Sequence, residues 1–378
     1  MFVSEMTEAF EAAGDSTYLV DLTQDSYLEQ IAAVLASNKI DCVIGFNGIG
    51  SNIEVDGQSL YDAINTNYLA VYIDHPAYHV MRIINPMRNH LVSCIDEAHL
   101  SYIEEILPTN YKINFFLPHA GLKSSSHKIE DIEEYKQLKS IDLLFSGTYF
   151  QISQKPWQDV VDAPHDLIDE VIERLIYGDY LSAHEVFNDV FNSANIKFSQ
   201  ATKAQLSNLL VEILSYVRAY NRNLLIEKLL KCGMKITVCG NGWESLAKKY
   251  KNLDYKGALN IEDVITLTQK AKVCIHAYTN LTRGTHERIF TAMLNYSVVF
   301  TDRSSYLDKY YSDDASLLYY NIKTLDRDIK RLQEYLLNDV KVFKIASSAY
   351  DITNKNHLWI HRVQKIKNII TISMMADK

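Results

Sequence analysis

The sequence predicts an α/β fold made of two doubly wound domains, each built on a parallel sheet. Short apolar runs alternate with amphipathic segments along most of the 378 residues, as they do in consecutive β-α-β units. A chain of this length is also long for a single hydrophobic core. Glycine and proline are scarce, with 13 and 6 residues, so we expect long elements and glycines placed where the backbone needs them.

The first half of the chain is predicted to contain one of the two sheets. Apolar residues at helical spacing predict helices over residues 2–13 and 26–38, and residues 16–22 between them are predicted as a strand. Further strands are predicted over residues 40–46, 68–74, 89–96 and 114–118, with helices over 61–65 and 98–107. A doubly wound domain normally begins with a strand and a glycine-rich loop. The first strand of this domain is therefore expected to be missing or to be replaced by another segment.

The second half is predicted to contain the other sheet and a helical insert. Strands are predicted over residues 141–147, 235–240, 253–257, 272–278, 297–302 and 316–320. Residues 157–230 have apolar side chains every three or four positions and are predicted to be helical. We therefore place an N-terminal domain at 1–135 and a C-terminal domain at 136–356. The basic, amphipathic segment 357–378 is expected to join the first domain, and contact with a membrane surface is its alternative role.

Composition and charge argue against several classes of function. The net charge is −9, whereas a dedicated nucleic-acid binder usually has a basic face. The five cysteines show no zinc-like spacing, which predicts reduced thiols in a cytoplasmic protein. The sequence has no apolar stretch of about 18 residues that would predict a membrane span. Neither a dinucleotide fingerprint nor a metal-binding motif is found, so no metal and no cofactor are expected.

Many of the glycines lie where predicted strands end or helices begin. These are Gly45, Gly48, Gly50, Gly121, Gly147, Gly240, Gly242, Gly257 and Gly284. Ligands of open parallel sheets bind outside the carboxyl ends of the strands, where glycine lets backbone amides approach an anion. The alternative is that these loops need glycine for conformational reasons alone. Because such glycines occur in both halves, the sequence predicts a cleft between two facing domains.

The segment GTHERIFTAMLNYSVVFTD, residues 284–302, carries the most specific pattern. Thr285 is suited to cap a helix whose first turn contains His286, Glu287 and Arg288. Backbone amides at the start of such a helix, together with an arginine, can hold a diphosphate. Glu287 can accept hydrogen bonds from sugar or ribose hydroxyls. The alternative is an ordinary capped surface helix with a charge pair.

This segment resembles the donor-binding helix of GT-B glycosyltransferases, particularly the CgeB-like (spore-maturation-type) group, whose pattern is roughly H-E-R-x-F-x-A-M-x-x-G-x-x-x-x-T-D. The stretches DLLFSGTY, ITVCGNGWE and YKGALNIEDV are similar to the same group, and the resemblance covers most of residues 141–362. It implies two Rossmann-like domains facing a cleft. It also implies transfer of a sugar from a nucleotide diphosphate donor, with UDP the expected nucleotide, to a bacterial glycan or protein acceptor without a metal.

The resemblance further implies which residues bind the donor. They are Gly147, Thr148, Asn241, Gly242, Trp243, His276, Gly284, Thr285, His286, Glu287 and Arg288. Gly147 and Thr148 are expected near the phosphates. The sequence departs from the family pattern at Tyr296, where a glycine is usual, and at Thr291 and Asn295, where glutamate is expected. Glu287 is then expected to make the ribose contact instead.

Candidate acceptor-side residues lie after strands of the first half. VYIDHPAYH places Asp74 and His75 at a predicted strand end, and FFLPHAG does the same for His119. An imidazole can accept a proton from a hydroxyl group near neutral pH, with a carboxylate orienting it. We therefore predict Asp74 as the leading base, followed by His75 and His119, and we predict Asn47 and Asn52 as acceptor contacts. Purely structural roles are the alternative for each of them.

Two other classes of function fit the same scaffold. A non-catalytic subunit that binds an acceptor or a partner glycosyltransferase is favoured by Thr291, by Tyr296 and by the missing first strand. A nucleotide-sugar epimerase is the other alternative. Turnover of a donor distinguishes the transferase from the subunit, and a free nucleotide sugar with altered stereochemistry would identify the epimerase.

Overall fold

A computed structural model describes residues 2–107, 111–124, 128–152, 155–158, 163–178, 180–277 and 281–376. Its strands are β1 Cys42–Phe46, β2 Glu54–Val55, β3 Gln58–Ser59, β4 Asn67–Tyr72, β5 His90–Cys94, β6 Ile113–Phe116, β7 Ile141–Ser146, β8 Ile236–Cys239, β9 Leu253–Tyr255, β10 Ala271–Ile275, β11 Val298–Thr301 and β12 Leu318–Tyr319. Its α-helices are α1 Phe2–Ala12, α2 Tyr27–Ser37, α3 Leu60–Ala63, α4 Val80–Ile83, α5 Glu97–Ile106, α6 Ile132–Leu138, α7 His165–Tyr177, α8 Ala183–Ser193, α9 Gln200–Gln205, α10 Ser207–Lys231, α11 Glu244–Lys249, α12 Ile261–Lys270, α13 Glu287–Leu294, α14 Ser305–Asp308, α15 Leu325–Leu336, α16 Asp339–Asn356 and α17 Trp359–Ala376.

The chain divides into two compact units. The N-unit comprises Met1–His119, Phe198–Asn208 and Trp359–Lys378, and the C-unit comprises Ala120–Lys197 and Leu209–Leu358. The first division between them therefore lies earlier than the predicted boundary at residue 135. The physical reason is that the polar stretch before β7 is not a free linker: Ile129 and Tyr135 are buried in the main hydrophobic core of the C-unit.

The N-unit contains a four-stranded parallel sheet in the order β1-β4-β5-β6. Every side chain of the two central strands is buried, as expected where a parallel sheet is covered on both faces. The prediction of a strand over residues 16–22 is wrong. No described strand pairs with this segment, and the side chains of Tyr18 and Leu19 are exposed, because a strand pattern forms a strand only where a sheet edge accepts its hydrogen bonds.

Helix α17 belongs to the N-unit and packs against α1. Its basic side chains have partners within that unit. Lys367 pairs with Asp15 at 2.7 Å, and the Lys365 ammonium lies 5.7 Å from the centre of the Phe116 ring. The last two residues of the predicted segment 357–378 lie outside the described residues. Within the described part of the chain, no helix has the length and apolar character needed to cross a membrane.

The C-unit contains a six-stranded parallel sheet in the order β12-β11-β10-β7-β8-β9. The chain adds β8 and β9 on one side of β7, then returns to add β10, β11 and β12 on the other side. The strand order therefore reverses between β7 and β10. Such a reversal leaves a crevice at the carboxyl ends of the two strands, which is where open α/β sheets bind ligands.

Helices α7, α8, α9 and α10 connect β7 to β8, where the helical insert is predicted; residues 159–162 and 179 of that prediction lie outside the described residues. The insert is not confined to the C-unit, because Phe198–Asn208 belongs to the N-unit. There Gln200 Nε2 donates to Ile106 O at 2.9 Å, and Lys203 pairs with Glu105. The two parallel sheets, with helices between their strands, confirm the predicted α/β class.

Candidate functional site

The reversal point of the C-unit sheet contains a cavity lined by both polar and apolar side chains. Its polar lining includes Ser146 at the end of β7, His276 after β10, and Glu287 and Arg288 at the start of α13. The other lining residues are Leu122, Leu144, Ile261, Val264, Ile265, Thr268, Cys274, Ile275, Thr291, Ala292 and Val299. The lining thus comes from segments that are distant in sequence, as the topology requires.

Two glycine loops at the carboxyl ends of β7 and β8 are packed directly on one another. Gly240 has φ +125°, and a Cβ on it would lie 2.3 Å from Gly147 O. The Gly147 amide donates to Cys239 O at 2.9 Å. A side chain at Gly240 therefore has no room, and the conformation it adopts favours glycine.

The predicted ligand residues 241–243 have different roles in this loop. The side chain of Trp243 is fully buried, and its Nε1 donates to Gly147 O at 2.8 Å. Trp243 therefore supports the Gly147 loop from inside the C-unit, and its fully buried side chain does not fit the predicted role in donor binding. Asn241 and Gly242 are exposed at the loop surface, where they remain accessible to a ligand.

Arg222 on α10 is a cation of this site that the sequence analysis missed. Its side chain is buried, donates to Thr148 O and lies 5.2 Å from the centre of the Phe145 ring. Because Arg222 holds the Thr148 carbonyl, it fixes the orientation of the loop after β7. The only signal in the sequence is an arginine within the long apolar helix pattern of the insert, and that pattern does not show which loop the arginine contacts.

The start of α13 combines a hydroxyl, an imidazole and a guanidinium. The Thr285 hydroxyl is buried and makes no hydrogen bond to any described residue. His286 Nδ1 lies against the Glu287 carboxylate and 3.4 Å from the Arg288 amide. The carboxylate is the stronger partner for that nitrogen, which leaves the Arg288 amide weakly capped. Arg288 donates from Nη1 to Ser146 O at 2.9 Å and is exposed.

His276 and Gly284 complete the predicted donor residues. His276 Nδ1 lies 3.2 Å from Thr301 Oγ1 and 4.0 Å from Asp302 Oδ1. Burial, followed by the neighbouring His286 and Arg288, lowers the pKa of His276 well below its usual range. It is therefore neutral at physiological pH, and it offers hydrogen bonds but no charge. Gly284 O accepts a hydrogen bond from Ser304 Oγ at 2.5 Å, which holds the loop before α13.

The unusual residues of α13 have structural explanations. Tyr296 has φ +56°, a left-handed conformation that glycine commonly adopts just after a helix, and it is retained here by stacking on Tyr350 at 4.2 Å. Thr291 Oγ1 accepts from Leu122 N at 3.1 Å, and Asn295 Nδ2 donates to Leu122 O at 3.0 Å. These two side chains therefore bind a backbone segment of the C-unit.

The N-unit has a second histidine near Asp74 that the sequence analysis missed. His75 is buried, and its Nδ1 accepts a hydrogen bond from Ala77 N at 3.1 Å, so it caps the turn that follows. His79 instead faces Asp74, with 3.8 Å between Nε2 and Oδ2. The pattern D-H-P-A-Y-H contains both histidines, but only the conformation of the turn decides which of them points toward the carboxylate.

The other acceptor-side candidates do not form a single group. Asn47 donates from Nδ2 to Asp74 Oδ2 at 2.9 Å, and Asn52 is exposed in the turn before β2. His119 is buried against Phe2, with 4.6 Å between the ring centres. Its carbonyl accepts two hydrogen bonds from Arg362. Of these three residues, Asn47 is therefore the one that contacts Asp74, whereas the described contacts of His119 lie with α1 and α17.

The comparisons with known proteins agree with this architecture. Residues 218–368 match a family model described as glycosyl transferase-like. Sucrose-phosphate synthase from Thermosynechococcus elongatus has a similar structure, with a TM-score of 0.57, 10% identity, and coverage of 99% of this chain and 93% of that one. WaaG, a glycosyltransferase involved in lipopolysaccharide biosynthesis, has a TM-score of 0.50 and 14% identity, with coverage of 98% of this chain and 95% of that one. HepE of Anabaena in complex with UDP-glucose has a TM-score of 0.50 and 12% identity, with coverage of 97% of this chain and 88% of that one. No curated protein matches the sequence.

The fold is therefore that of the GT-B glycosyltransferases, and the fold class predicted from the sequence is confirmed. Within the described residues, no group of three or more His, Cys, Asp and Glu side chains is arranged to hold a metal ion.

Proposed function

We propose that this chain is a glycosyltransferase of the CgeB-like group that transfers a hexose from a UDP-sugar to a hydroxyl group of a bacterial glycan or protein acceptor. The observation that carries the proposal is the cluster at the reversal point of the C-unit sheet. There, Arg288 in the first turn of α13 contacts the loop at Gly147, and the buried Thr285 hydroxyl shortly before the helix has no described partner. A helix start and a guanidinium at a strand end are suited to a diphosphate.

In such a transfer, the bond between the anomeric carbon and the diphosphate oxygen breaks, and the acceptor oxygen forms a new bond to that carbon. The acceptor proton is passed to a base or to the departing phosphate, and the electron pair of the broken bond stays on the diphosphate. Negative charge therefore grows on the leaving group. Arg288 and the amides at the start of α13 are the groups that stabilise this charge, so we expect the reaction to need no metal.

The remainder of the cavity suits the nucleoside. Its lining is mostly apolar, which fits a base ring, and the buried Glu287 carboxylate in that lining can accept hydrogen bonds from ribose or sugar hydroxyls. UDP is the proposed nucleotide because HepE, which shares the fold, was solved with UDP-glucose. The match of residues 218–368 to a glycosyl transferase-like family supports the same assignment.

The test is UDP binding and UDP-sugar turnover by the full chain, with Arg288→Ala as the principal variant. We expect UDP to raise the melting temperature of the wild type. The variant should lose roughly 2–3 kcal/mol of binding free energy, because a charge-assisted contact to the diphosphate is removed. Arg88→Ala is the matched control, since Arg88 is an exposed arginine of the N-unit and should leave UDP binding unchanged.

Glu287→Gln tests the hydroxyl contact separately from the phosphate contact. We expect this variant to bind UDP more weakly than the wild type but more tightly than Arg288→Ala. A panel of UDP-sugars, assayed for release of UDP, then identifies the donor. Failure of UDP and of every sugar in the panel to bind or turn over would contradict the proposal, and UDP binding without turnover would favour a non-catalytic subunit.

A further inference from the structure

The helical insert contacts two loops beside the proposed donor site through its residues 180–185, here called the insert edge. One loop, residues 281–286, leads into α13, and the other, residues 302–304, follows β11. Arg283 Nη2 donates to Glu185 Oε2 at 2.7 Å, and Arg303 Nη1 donates to the Tyr180 hydroxyl at 3.4 Å. The insert edge and both loops belong to the C-unit, so these contacts lie within one compact unit.

The Glu185 carboxylate is held in place before it meets Arg283. Ser182 is the N-cap of α8, and Glu185 follows it by three residues, an S-x-x-E arrangement typical of a helix start. The Ser182 hydroxyl donates to Glu185 Oε2 at 2.6 Å. Burial raises the pKa of Glu185, but the Ser182 hydrogen bond and the Arg283 charge outweigh it and keep that pKa below its usual range. Arg283 therefore faces a fixed carboxylate that is ionised at neutral pH.

Tyr180 anchors the insert edge to the segment after β11. Its hydroxyl donates to Asp308 Oδ2 at the end of α14. Asp308 also pairs with Arg303, with 3.7 Å between Oδ1 and Nη1, and the Arg303 guanidinium lies 4.6 Å from the centre of the Tyr319 ring. The insert edge thus has a second attachment, independent of the one between Glu185 and Arg283.

The two contacted loops are bonded to each other, and one of them ends at the donor-site helix. The Ser305 amide donates to Thr282 O at 2.9 Å, and Ser304 Oγ donates to Gly284 O at 2.5 Å. Arg283 lies between these two bonded carbonyls and two residues before Thr285, whose hydroxyl is buried without a described partner. A restraint on the Arg283 side chain therefore acts on the backbone that presents Thr285 and the first turn of α13.

We propose that Glu185 is a positioning residue of the donor site, acting through Arg283 on the loop before α13, with Tyr180 as a second anchor. This inference rests on the proposed function. The insert edge lies outside residues 218–368, which match the glycosyl transferase-like family, so the family match does not include it. A loop that is ordered before the ligand arrives loses less conformational entropy on binding. The Arg283 and Glu185 side chains are 34% and 38% exposed, and ion pairs of this exposure add little to stability.

The experiment is a calorimetric titration of the full chain with UDP, combined with thermal unfolding of the same samples. Glu185→Gln should weaken UDP binding about three- to fivefold, the effect expected of a partly exposed ion pair, while the melting temperature stays nearly unchanged. Arg283→Met should cause a similar loss. The double variant should lose no more affinity than Arg283→Met alone, because the two side chains act as one unit.

Conservative and control variants separate positioning from a general loss of structure. Arg283→Lys keeps a cation opposite Glu185 and should restore most of the affinity that Arg283→Met loses. Tyr180→Phe removes the second anchor and should weaken UDP binding by a smaller factor than Glu185→Gln. Glu173→Gln is the matched control, since Glu173 is an exposed glutamate of the same insert on α7, and it should bind UDP as the wild type does.

Wild-type UDP affinity in Glu185→Gln would overturn this inference, as would losses that simply add in the double variant. A melting temperature that falls in step with the UDP affinity would overturn it as well, because it would assign the pair a purely structural role. Absence of UDP binding by the wild type would instead contradict the proposed donor site, so the two failures are distinguishable.

Discussion

The carboxyl ends of the two parallel sheets have the same topological position but opposite chemistry. In the C-unit, the Arg288 guanidinium supplies positive charge, and the Gly147 and Gly240 loops beside it are closely packed and carry no side chain. In the N-unit, the strand ends carry the Asp74 carboxylate, which accepts a hydrogen bond from the Asn47 amide. Strand ends of the same topological position therefore differ in chemistry, because the side chains that follow each strand, and not the topology, supply the charged and polar groups.

The largest expected effect is on the glycine loops of the C-unit. Gly240→Ala should lower the free energy of unfolding by about 3–4 kcal/mol and abolish UDP binding, because its Cβ would collide with Gly147 O in a strained left-handed backbone. Gly233→Ala is the matched control, since Gly233 has φ +79° and no atom within 4 Å of its Cβ position. Denaturant titration of both variants checks this, and equal losses would show that the loop contact is unimportant.

A second effect concerns the far end of α13 and depends on pH. Lys139 is buried and donates from Nζ to Asn295 O at 2.8 Å, and burial lowers the pKa of its ammonium to about 7. A base whose folded-state pKa is lowered binds fewer protons when folded, so the contribution of Lys139 to stability is lowest in acid and rises as pH increases above 7. The unfolding free energy of the wild type, relative to that of Lys139→Met, should therefore rise by about 2 kcal/mol between pH 7 and pH 9.

The control for this measurement is Lys136→Met, because Lys136 lies on the exposed face of α6 and pairs with Glu133. Its unfolding free energy should follow the wild-type pH dependence. The comparison of the two proteins is needed because buried thiols such as Cys274, whose pKa is raised by burial to about 11, ionise near pH 9 only in the unfolded state and lower the stability of both proteins alike. A stability difference between the wild type and Lys139→Met that stays constant or falls between pH 7 and pH 9 would contradict the predicted sign.

A third, intermediate effect tests whether the insert positions the donor site. Arg222→Met should weaken UDP binding about tenfold, because the Thr148 carbonyl loses its guanidinium donor and the loop after β7 loses its fixed orientation. Calorimetric titration with UDP measures the change. Denaturant titration of the same variant is the control, since a large loss of unfolding free energy would indicate general destabilisation.

The smallest expected effect is at Tyr72 of β4 in the N-unit. Tyr72→Phe removes a buried hydroxyl that has no described partner, so stability should change by less than about 1 kcal/mol and can increase. Thermal unfolding checks this expectation, and a loss of more than about 2 kcal/mol would show that the hydroxyl has a partner that stabilises the fold.

The sequence by itself was sufficient to predict the α/β class, most strands of both sheets and the start of α13. These features follow from periodicity and from short capping patterns, which depend on neighbouring residues only. The start of α13 is the clearest example, since GTHERIF contains the loop residue, the first turn and the first apolar residues in one continuous stretch.

The tertiary structure alone decided which side chains meet. It placed His79 opposite Asp74 and buried Trp243 beneath Gly147. It also brought Arg222 from the insert to the loop after β7. A residue at a strand end can point in several directions, and the turn that follows selects one of them only when the packing of the whole unit is set. Periodicity contains no information about that selection, so the sequence determined the elements and the fold determined the site.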